Sequence, residues 1–262
     1  MTPISSVTSN SVPEQINRLQ QQISTGQRIN SAADDAAGLV ISTGQDSQIR
    51  GLSTAIRNAN DGISLTQVAS GALSQVTDNL QRIRELSLQA ANGILNDSDR
   101  QALQSEIDQL TESSRGILED TNFNGVALFD NESELNFQVG PDAGDQIQVQ
   151  GSNLLQQVQG FEGLDVTQPD GAAQAIESID NSLAAISERQ SELGAVANRF
   201  ESSIRQTQDT LVNTQAARSR ITDSDLAQSI SALSNEQVRN QAQIAVQAQA
   251  NANAGDVLRL LG

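Results

Sequence analysis

With 262 residues but only 2% aromatic side chains, the chain lacks the large rings that fill most compact globules, whereas Leu, Ile, Val and Ala suffice for the thin seam of a helical rod. It contains no Cys, Trp, Tyr or His, which excludes disulfides, thiolate and imidazole metal sites, cysteine nucleophiles and Ser-His-Asp chemistry; most enzymes fall away, and no cofactor or metal is expected. The net charge of −17, with all 15 cations Arg, spreads along the whole chain and disfavours nucleic acid or an anionic membrane as partner.

In chain order, the N-terminal MTPISSVTSNSVPEQ has no basic region followed by an apolar one, so it is not a Sec-type signal peptide, and any export uses another route. No run of ~18 apolar residues is present to span a bilayer. Residues 1–12, Ser/Thr-rich and containing Pro3, read as an irregular arm. Pro13-Glu14 is a helix start, with Ile16, Leu19 and Ile23 as its short apolar stripe and Gly26 near its end.

A longer helical pattern begins at about Ala36. Ile49, Leu52, Ile56, Ala59 and Ile63 alternate spacings of three and four, and after a phase adjustment Ala69, Leu73, Val76, Leu80, Ile83, Ser87 and Ala90 continue the rhythm. This is a heptad seam, the mark of helices packed along their length. Asn92-Gly93 stops it, and Asp97-Ser98-Asp99 starts a shorter helix through Leu103, Ile107, Leu110 and Ile117. Residues 122–150 change character: FNGVALF, ELNFQV and DQIQVQ read as a small antiparallel β region. The stretch 151–170, with several Gly and Pro169, reads as a loop or linker.

From Ile176 to Ile221 the three-four spacing is strict, strongly apolar at first and diluted later. One helix over 171–221 would be roughly 75 Å long, so an elongated molecule is expected. Thr222-Asp223-Ser224-Asp225 then supplies helix-start residues. A last helix runs through Leu226, Ile230, Leu233, Val238 and Ile244 to Val257, Leu258, Leu260 and Leu261. Its second half, rich in Ala and Gln, is weakly stable alone and implies a surface buried on assembly. The fold expected is mostly α: an elongated antiparallel helical bundle or coiled coil with N- and C-terminal segments paired, plus a small antiparallel β-hairpin region. The expected domains are nested, with 1–34 and 222–262 forming a terminal coiled coil. The other, 35–221, is a helical rod carrying the β region at about 122–150.

Three motifs have plain structural readings. Asp34-Asp35 and Asp223/Asp225 resemble metal or general-acid pairs, but each lies at a helix start, where a carboxylate caps backbone N–H groups. Asn96-Asp97-Ser98 and Asn131-Glu132-Ser133 match the N-glycosylation pattern, which is common by chance. In Gln81-Arg82-Ile83-Arg84-Glu85-Leu86, Ile83 belongs to the seam, while Arg82 and Leu86 share an outer face read as solvated or subunit-packing surface.

Several blocks together resemble bacterial flagellins, in the order of that family. GQRINSAADDAAGLVIS (26–42), RNANDGISLTQVASGALSQV (57–76), NLQRIRELSLQAANG (79–93) and TNFNGVALF (121–129) are similar to the N-terminal half. SELGAVANRFESSI (191–204), ARSRITDSDLA (217–227) and the final VLRLLG are similar to the C-terminal half.

The resemblance implies a structural subunit of the extracellular flagellar filament, exported by the flagellar type III apparatus and self-assembling into a helical tube for motility. The long helices would form the inner tube, and the chain ends a coiled domain lining the channel. The short interval after FNGVALF implies that the outer domains are missing. The N-terminal arm is shorter than usual in the family, so about a third of the last helix is expected to lack an intramolecular partner.

The implied partners are further copies of the chain, an export chaperone and the export apparatus, hook-associated and cap proteins, and Toll-like receptor 5 of a host. For the receptor, Arg82, Leu86 and Glu106 match the implied positions, with Gln81, Gln89 and Leu103 nearby. For assembly and chaperone binding, Leu226, Ile230, Leu233, Ile244, Val257, Leu258, Leu260 and Leu261 are implied. A zinc-protease H-E-x-x-H, carried by some family members, is impossible without His. Two other functions stay open: a hook–filament junction protein and a minor, specialised flagellin-like surface protein. The RNANDGISL and FNGVALF blocks favour flagellin, whereas the abbreviated N-terminus favours the minor protein.

Overall fold

A computed structural model describes residues 11–130, 134–157 and 163–261. The irregular arm expected at the N-terminus lies mostly outside them. Among the described residues the chain forms helices α1 (Ser11–Thr25), α2 (Ala36–Ala90), α3 (Asp97–Asp120), α4 (Leu154–Gln157), α5 (Pro169–Thr222) and α6 (Leu226–Leu261). Between α3 and α4 lie four short strands, β1 (Asn122–Phe123), β2 (Val126–Ala127), β3 (Leu135–Gln138) and β4 (Gln146–Val149). The chain divides into two compact units, Met1–Ile49 with Val212–Gly262, and Arg50–Leu211.

In the unit Arg50–Leu211, the seam of α2 is the floor of the core. Ala69, Leu73, Val76, Leu80, Ile83, Ser87 and Ala90 are all buried. Burial of each large aliphatic among them contributes roughly 1.5–3 kcal/mol. Opposite them, Ile179, Ile186, Leu193, Phe200 and Thr207 of α5 are buried at alternate positions of the expected stripe. The two helices run antiparallel, as three cross-links show. Arg84 pairs with Asp180 at 2.7 Å, Gln190 Nε2 donates to Ser74 Oγ at 3.4 Å, and Gly62 lies under the Phe200 ring. Helix α3 closes the third side with Ile107 and Leu118. Its buried Ser114 hydroxyl accepts a bond from Asn79 of α2 at 3.1 Å.

The β region consists of two hairpins. β1 and β2 fold back at Asn124-Gly125, with φ of 51° and 80°. A two-residue turn with positive φ at both positions selects Asn-Gly, so FNGVALF is a turn with stubs of strand and not one alternating run. β3 pairs with β4 from Leu135↔Val149 to Gln138↔Gln146. Such ribbons are marginal alone, and this one is held by the helices. Phe137 meets Phe200 edge to face at 5.3 Å, and Asn58 Nδ2 donates to the Gln138 carbonyl at 2.9 Å.

The expected linker at 151–170 is different in kind. It contains α4, and Leu154, Leu164 and Val166 are buried in the common core. Both ends of the Gln104 amide hold its backbone: Nε2 donates to the Leu164 carbonyl at 2.6 Å and Oε1 accepts from Val166 N–H at 2.7 Å. α5 begins at Pro169, earlier than the apolar stripe indicated, with the ring in the first helical position, where no N–H is missed.

In the other unit, Met1–Ile49 with Val212–Gly262, α1 packs on α6 through half-buried Ile16, Leu19 and Ile23. Gly26, with φ of 69°, ends α1 in the left-handed conformation favoured after a helix. The chain beyond it pairs with the α5–α6 connection. Gln27 bridges Asp223, Arg28 N–H donates to the Thr222 carbonyl at 2.6 Å, and Ser224 N–H donates to the Gly26 carbonyl at 3.0 Å.

Gly62 offers a direct test of α2–α5 packing. A Cβ at this position would stand 2.7 Å from Cε1 of the fully buried Phe200. Overpacking of this kind costs about 1–3 kcal/mol, more than the ~1 kcal/mol by which Ala exceeds Gly in a helix interior. Gly62→Ala is therefore expected to lower the midpoint of urea unfolding. A raised midpoint would show that the helices separate freely at this level.

Candidate assembly and recognition surfaces

Two surfaces collect the residues singled out by sequence. The first lies on α2 and α3. Arg82 is half-exposed, and its guanidinium reaches across to α3, bonding Glu106 Oε1 through Nε at 3.0 Å and Nη2 at 2.9 Å. Nη1 holds Glu85, one turn along α2, at 3.2 Å. The hydrogen bond to Glu106 and then that to Glu85 raise the guanidinium pKa above its ordinary value. Gln81 and Gln89 are exposed beside it, and Leu103 is half-buried against the core.

Leu86 corrects the expectation of a shared outer face with Arg82. It is only 1% exposed and belongs to the same buried cluster as Ile107, Leu118 and Ile179. A three-four seam describes packing against one partner. α2 packs against α5 and α3 together, which widens its apolar stripe beyond the seam positions.

What places Glu106 opposite Arg82 is a residue the sequence did not reveal, Arg100 in the first turn of α3. It is 5% exposed and has no carboxylate partner. Nε donates to the Ala90 carbonyl at 3.1 Å, Nη2 to Asn92 at 3.0 Å and Nη1 to Leu95 at 3.1 Å. It thus satisfies free carbonyls at the end of α2 and complements the negative end of the helix dipole. The one available signal was a cation in a helical first turn, where acids are favoured. Asn96 caps the same helix, accepting from Asp99 N–H at 2.9 Å, while Asp99 accepts from Asn96 N–H at 3.4 Å. The Asn96 amide is therefore committed to structure. Asn131 lies outside the described residues.

The second surface is α6. Leu226, Ile230, Val238, Ile244 and Val246 are 48–68% exposed, while Leu233 is half-buried. Every side chain from Gln241 to Asn253 is exposed. Val257, Leu258, Leu260 and Leu261 lie in α6, but their side chains fall outside those described.

At the heads of α2 and α6 the paired carboxylates do different work. Asp35 accepts from Gly38 N–H at 2.8 Å, and Asp225 accepts from Ala227 N–H at 3.0 Å and Gln228 N–H at 3.1 Å, which starts α2 and α6. Asp34 instead closes a turn and does not cap a helix. The Ser31 hydroxyl, the backbone N–H groups of Asn30 and Ser31, and Arg18 hold its carboxyl below the ordinary carboxylate range. Asp223 accepts from Ser219 and Thr222 hydroxyls at the end of α5. Among the described residues no group of three or more acidic side chains could hold a metal ion, and no helix is long and apolar enough to cross a membrane.

Both surfaces are faces of long helices, as in a helical structural protein. Comparison with known families agrees. Residues 4–134 match the bacterial flagellin N-terminal helical region, and residues 176–261 match the bacterial flagellin C-terminal helical region. The chain is 41% identical over 247 residues to a flagellin of Halalkalibacterium halodurans, covering 93% of this chain and 91% of that protein. It is 36% identical over 257 residues to the flagellar filament 30.7 kDa core protein of Treponema maltophilum, covering 92% and 90%. The crystal structure of Bacillus cereus flagellin superposes with a TM-score of 0.54 and 25% identity, covering 58% of this chain and 88% of that one. The chain belongs to the bacterial flagellin family, a family of structural proteins and not of enzymes.

Arg100→Ala would strip the guanidinium from the carbonyls of Ala90 and Leu95 and leave Asn92 only the Leu95 N–H. A loss of about 2–4 kcal/mol in unfolding free energy is expected, measured by chemical denaturation. An effect under about 0.5 kcal/mol, the size of an ordinary surface change, would show that water replaces the guanidinium without cost.

Proposed function

We propose that this chain is the repeating structural subunit of a bacterial flagellar filament, exported through the flagellar type III apparatus and self-assembling outside the cell into a helical tube. Membership of the flagellin family supports the reading, and the exposed apolar side chains of α6 carry the mechanism. Left in water, Ile230, Val238, Ile244 and Val246 cost free energy; enclosed by neighbouring copies, each contributes roughly 1–2 kcal/mol. Contacts between different faces of successive copies do not close on themselves, and they generate an open helix.

Before assembly the same apolar residues need cover, which is the task of an export chaperone binding an amphipathic helix in a groove. Hook-associated and cap proteins are the neighbours at the filament's two ends. The flagellin match of both helical regions favours a filament subunit over a hook–filament junction protein. Purified chain seeded with filament fragments at neutral pH and viewed by negative-stain electron microscopy is expected to grow long tubes. A monomer that persists beside viable seeds would overturn this reading and favour a minor surface role.

The α2–α3 surface supports a second partner for the free subunit, Toll-like receptor 5 of a host. Arg82 held by Glu106, with exposed Gln81 and Gln89, is a preorganised polar patch. Leu86 contributes from beneath by fixing α2 in the core, since its side chain is inaccessible. Arg82→Ala should weaken receptor-dependent reporter signalling at least about tenfold, as for a central Arg anchor. Unchanged signalling with the monomer's circular dichroism intact would remove the receptor from the list of partners.

A further inference from the structure

One cavity of the unit Arg50–Leu211 is polar, and neither surface above uses it. It measures about 410 Å³ and lies where α5 meets the segment following β4. Glu188 and Glu192, one turn apart on α5, form one wall, and Glu134 and the stretch from Gln150 to Asn153 form the others. Arg189 also lines it and is 8% exposed. Its Nη1 binds Glu192 at 2.9 Å, its Nη2 donates to the Gln150 carbonyl, and its Nε is buried without an acceptor. Three carboxylates against one guanidinium leave an excess of negative charge in a space large enough for a long side chain. A cation carrying several N–H donors fits this chemistry.

The chain has no Lys, so a cation supplied by a second copy must be an Arg. Among the described residues, the exposed arginines without a carboxylate partner are Arg50, Arg57, Arg199 and Arg220. Arg220 belongs to the other compact unit. A cation whose spacing from the cavity is to repeat faithfully must share a rigid body with it. Arg199 sits two turns beyond Glu192 on the same stripe of α5, so a contact between it and the cavity would pair like faces and close a dimer.

Arg50 and Arg57 meet both requirements. They are two turns apart on one face of α2, and among the described residues the one bond made by either guanidinium is from Arg57 to the Thr54 hydroxyl at 2.9 Å. Gln190, beside the cavity's Glu188, is level with Ser74. Arg57 and Arg50 therefore lie roughly 25 Å and 35 Å away along the helix axis.

We infer that this acidic cavity is a socket for Arg50 or Arg57 of a second copy of the chain, an axial contact of the polymer; the inference rests on the filament reading above. Each copy fills a neighbour's socket from a different helix and leaves its own open. That is the arrangement an unclosed assembly requires.

Seeded polymerisation of charge-reversed full-length chains tests this. Glu188→Arg, and separately Arg50→Glu with Arg57→Glu, should each raise the concentration needed for growth about tenfold. Their monomer circular dichroism should be unchanged, because the altered side chains are exposed. Glu188→Gln should have a smaller effect. All three reversals on one chain recreate an opposite-charge pair at every contact, and growth should recover. Glu188→Arg growing like the unmodified chain, or a combined variant no better than its slower parent, would overturn the socket. Failure of the unmodified chain to grow on viable seeds would instead overturn the filament reading, and the socket with it.

Discussion

The antiparallel register of α2 and α5 governs most of what the unit Arg50–Leu211 can do. It is fixed at a close approach, where Gly62 lets the Phe200 ring lie against the α2 backbone. A chain with five Phe and no Trp or Tyr has few large rings to place, and two of them, Phe129 and Phe200, are wholly buried. Phe200 also receives the edge of Phe137, so the β3–β4 hairpin takes its position from the helix register. From there Thr207 and Asn58 bond the carbonyls at the end of β3, with Thr207 Oγ1 to Val139 at 3.4 Å. Arg84 and Asp180 lie further along the same register. Their hydrogen bond lowers the Asp180 pKa and raises that of Arg84, yet both are exposed enough that the apolar seam carries the weight.

Irregular segments are tied to these helices by side chains that bond backbone. Arg100 gathers the turn after α2, Gln104 holds the segment before α5, and Arg189 holds the end of β4. In each case a long polar side chain crosses from a helix to peptide groups that have no ladder partner. Buried peptide groups must be satisfied, and a chain without disulfides meets that demand in this way. The α2–α3 surface follows from it: once Arg100 sets the turn, α3 is placed so that Glu106 faces Arg82.

The sequence was most legible where one periodicity met one partner. The seam of α2 from Ala69 to Ala90 is buried and the α5 stripe is buried at alternate positions, because packing along a long neighbour selects one face. Asn124-Gly125 was read as part of a strand-like run, although few other pairs tolerate the two positive φ angles it adopts. Legibility failed where a second neighbour intervened. Leu86 is in the core because α3 covers a flank that periodicity leaves outside. Residues 151–170 looked like a linker because Gly and Pro punctuate them, but Leu154, Leu164 and Val166 fill gaps that only the assembled helices define. Asp34 and Asp35 are adjacent in sequence but serve different backbones, the one a turn at Asn30 and Ser31 and the other the start of α2.

The two compact units resolve opposing demands on one molecule. A net charge of −17 makes free copies repel, which suits a subunit that must stay separate until it reaches its place. That repulsion is long-ranged and is screened beyond ~8–10 Å at physiological salt. Apolar burial and paired charges act at contact, inside that distance. Apolar positions left open recur along α6, where Ile244 and Val246 are about two-thirds exposed. The polar socket lies in the unit Arg50–Leu211, whose core is already closed. Copies that meet in the wrong register therefore gain neither apolar cover nor charge pairing and keep the full repulsion. Copies in the right register gain both. In the filament proposed above, a mainly acidic surface with a few placed cations would set the specificity of assembly, while apolar burial on α6 would supply most of its free energy.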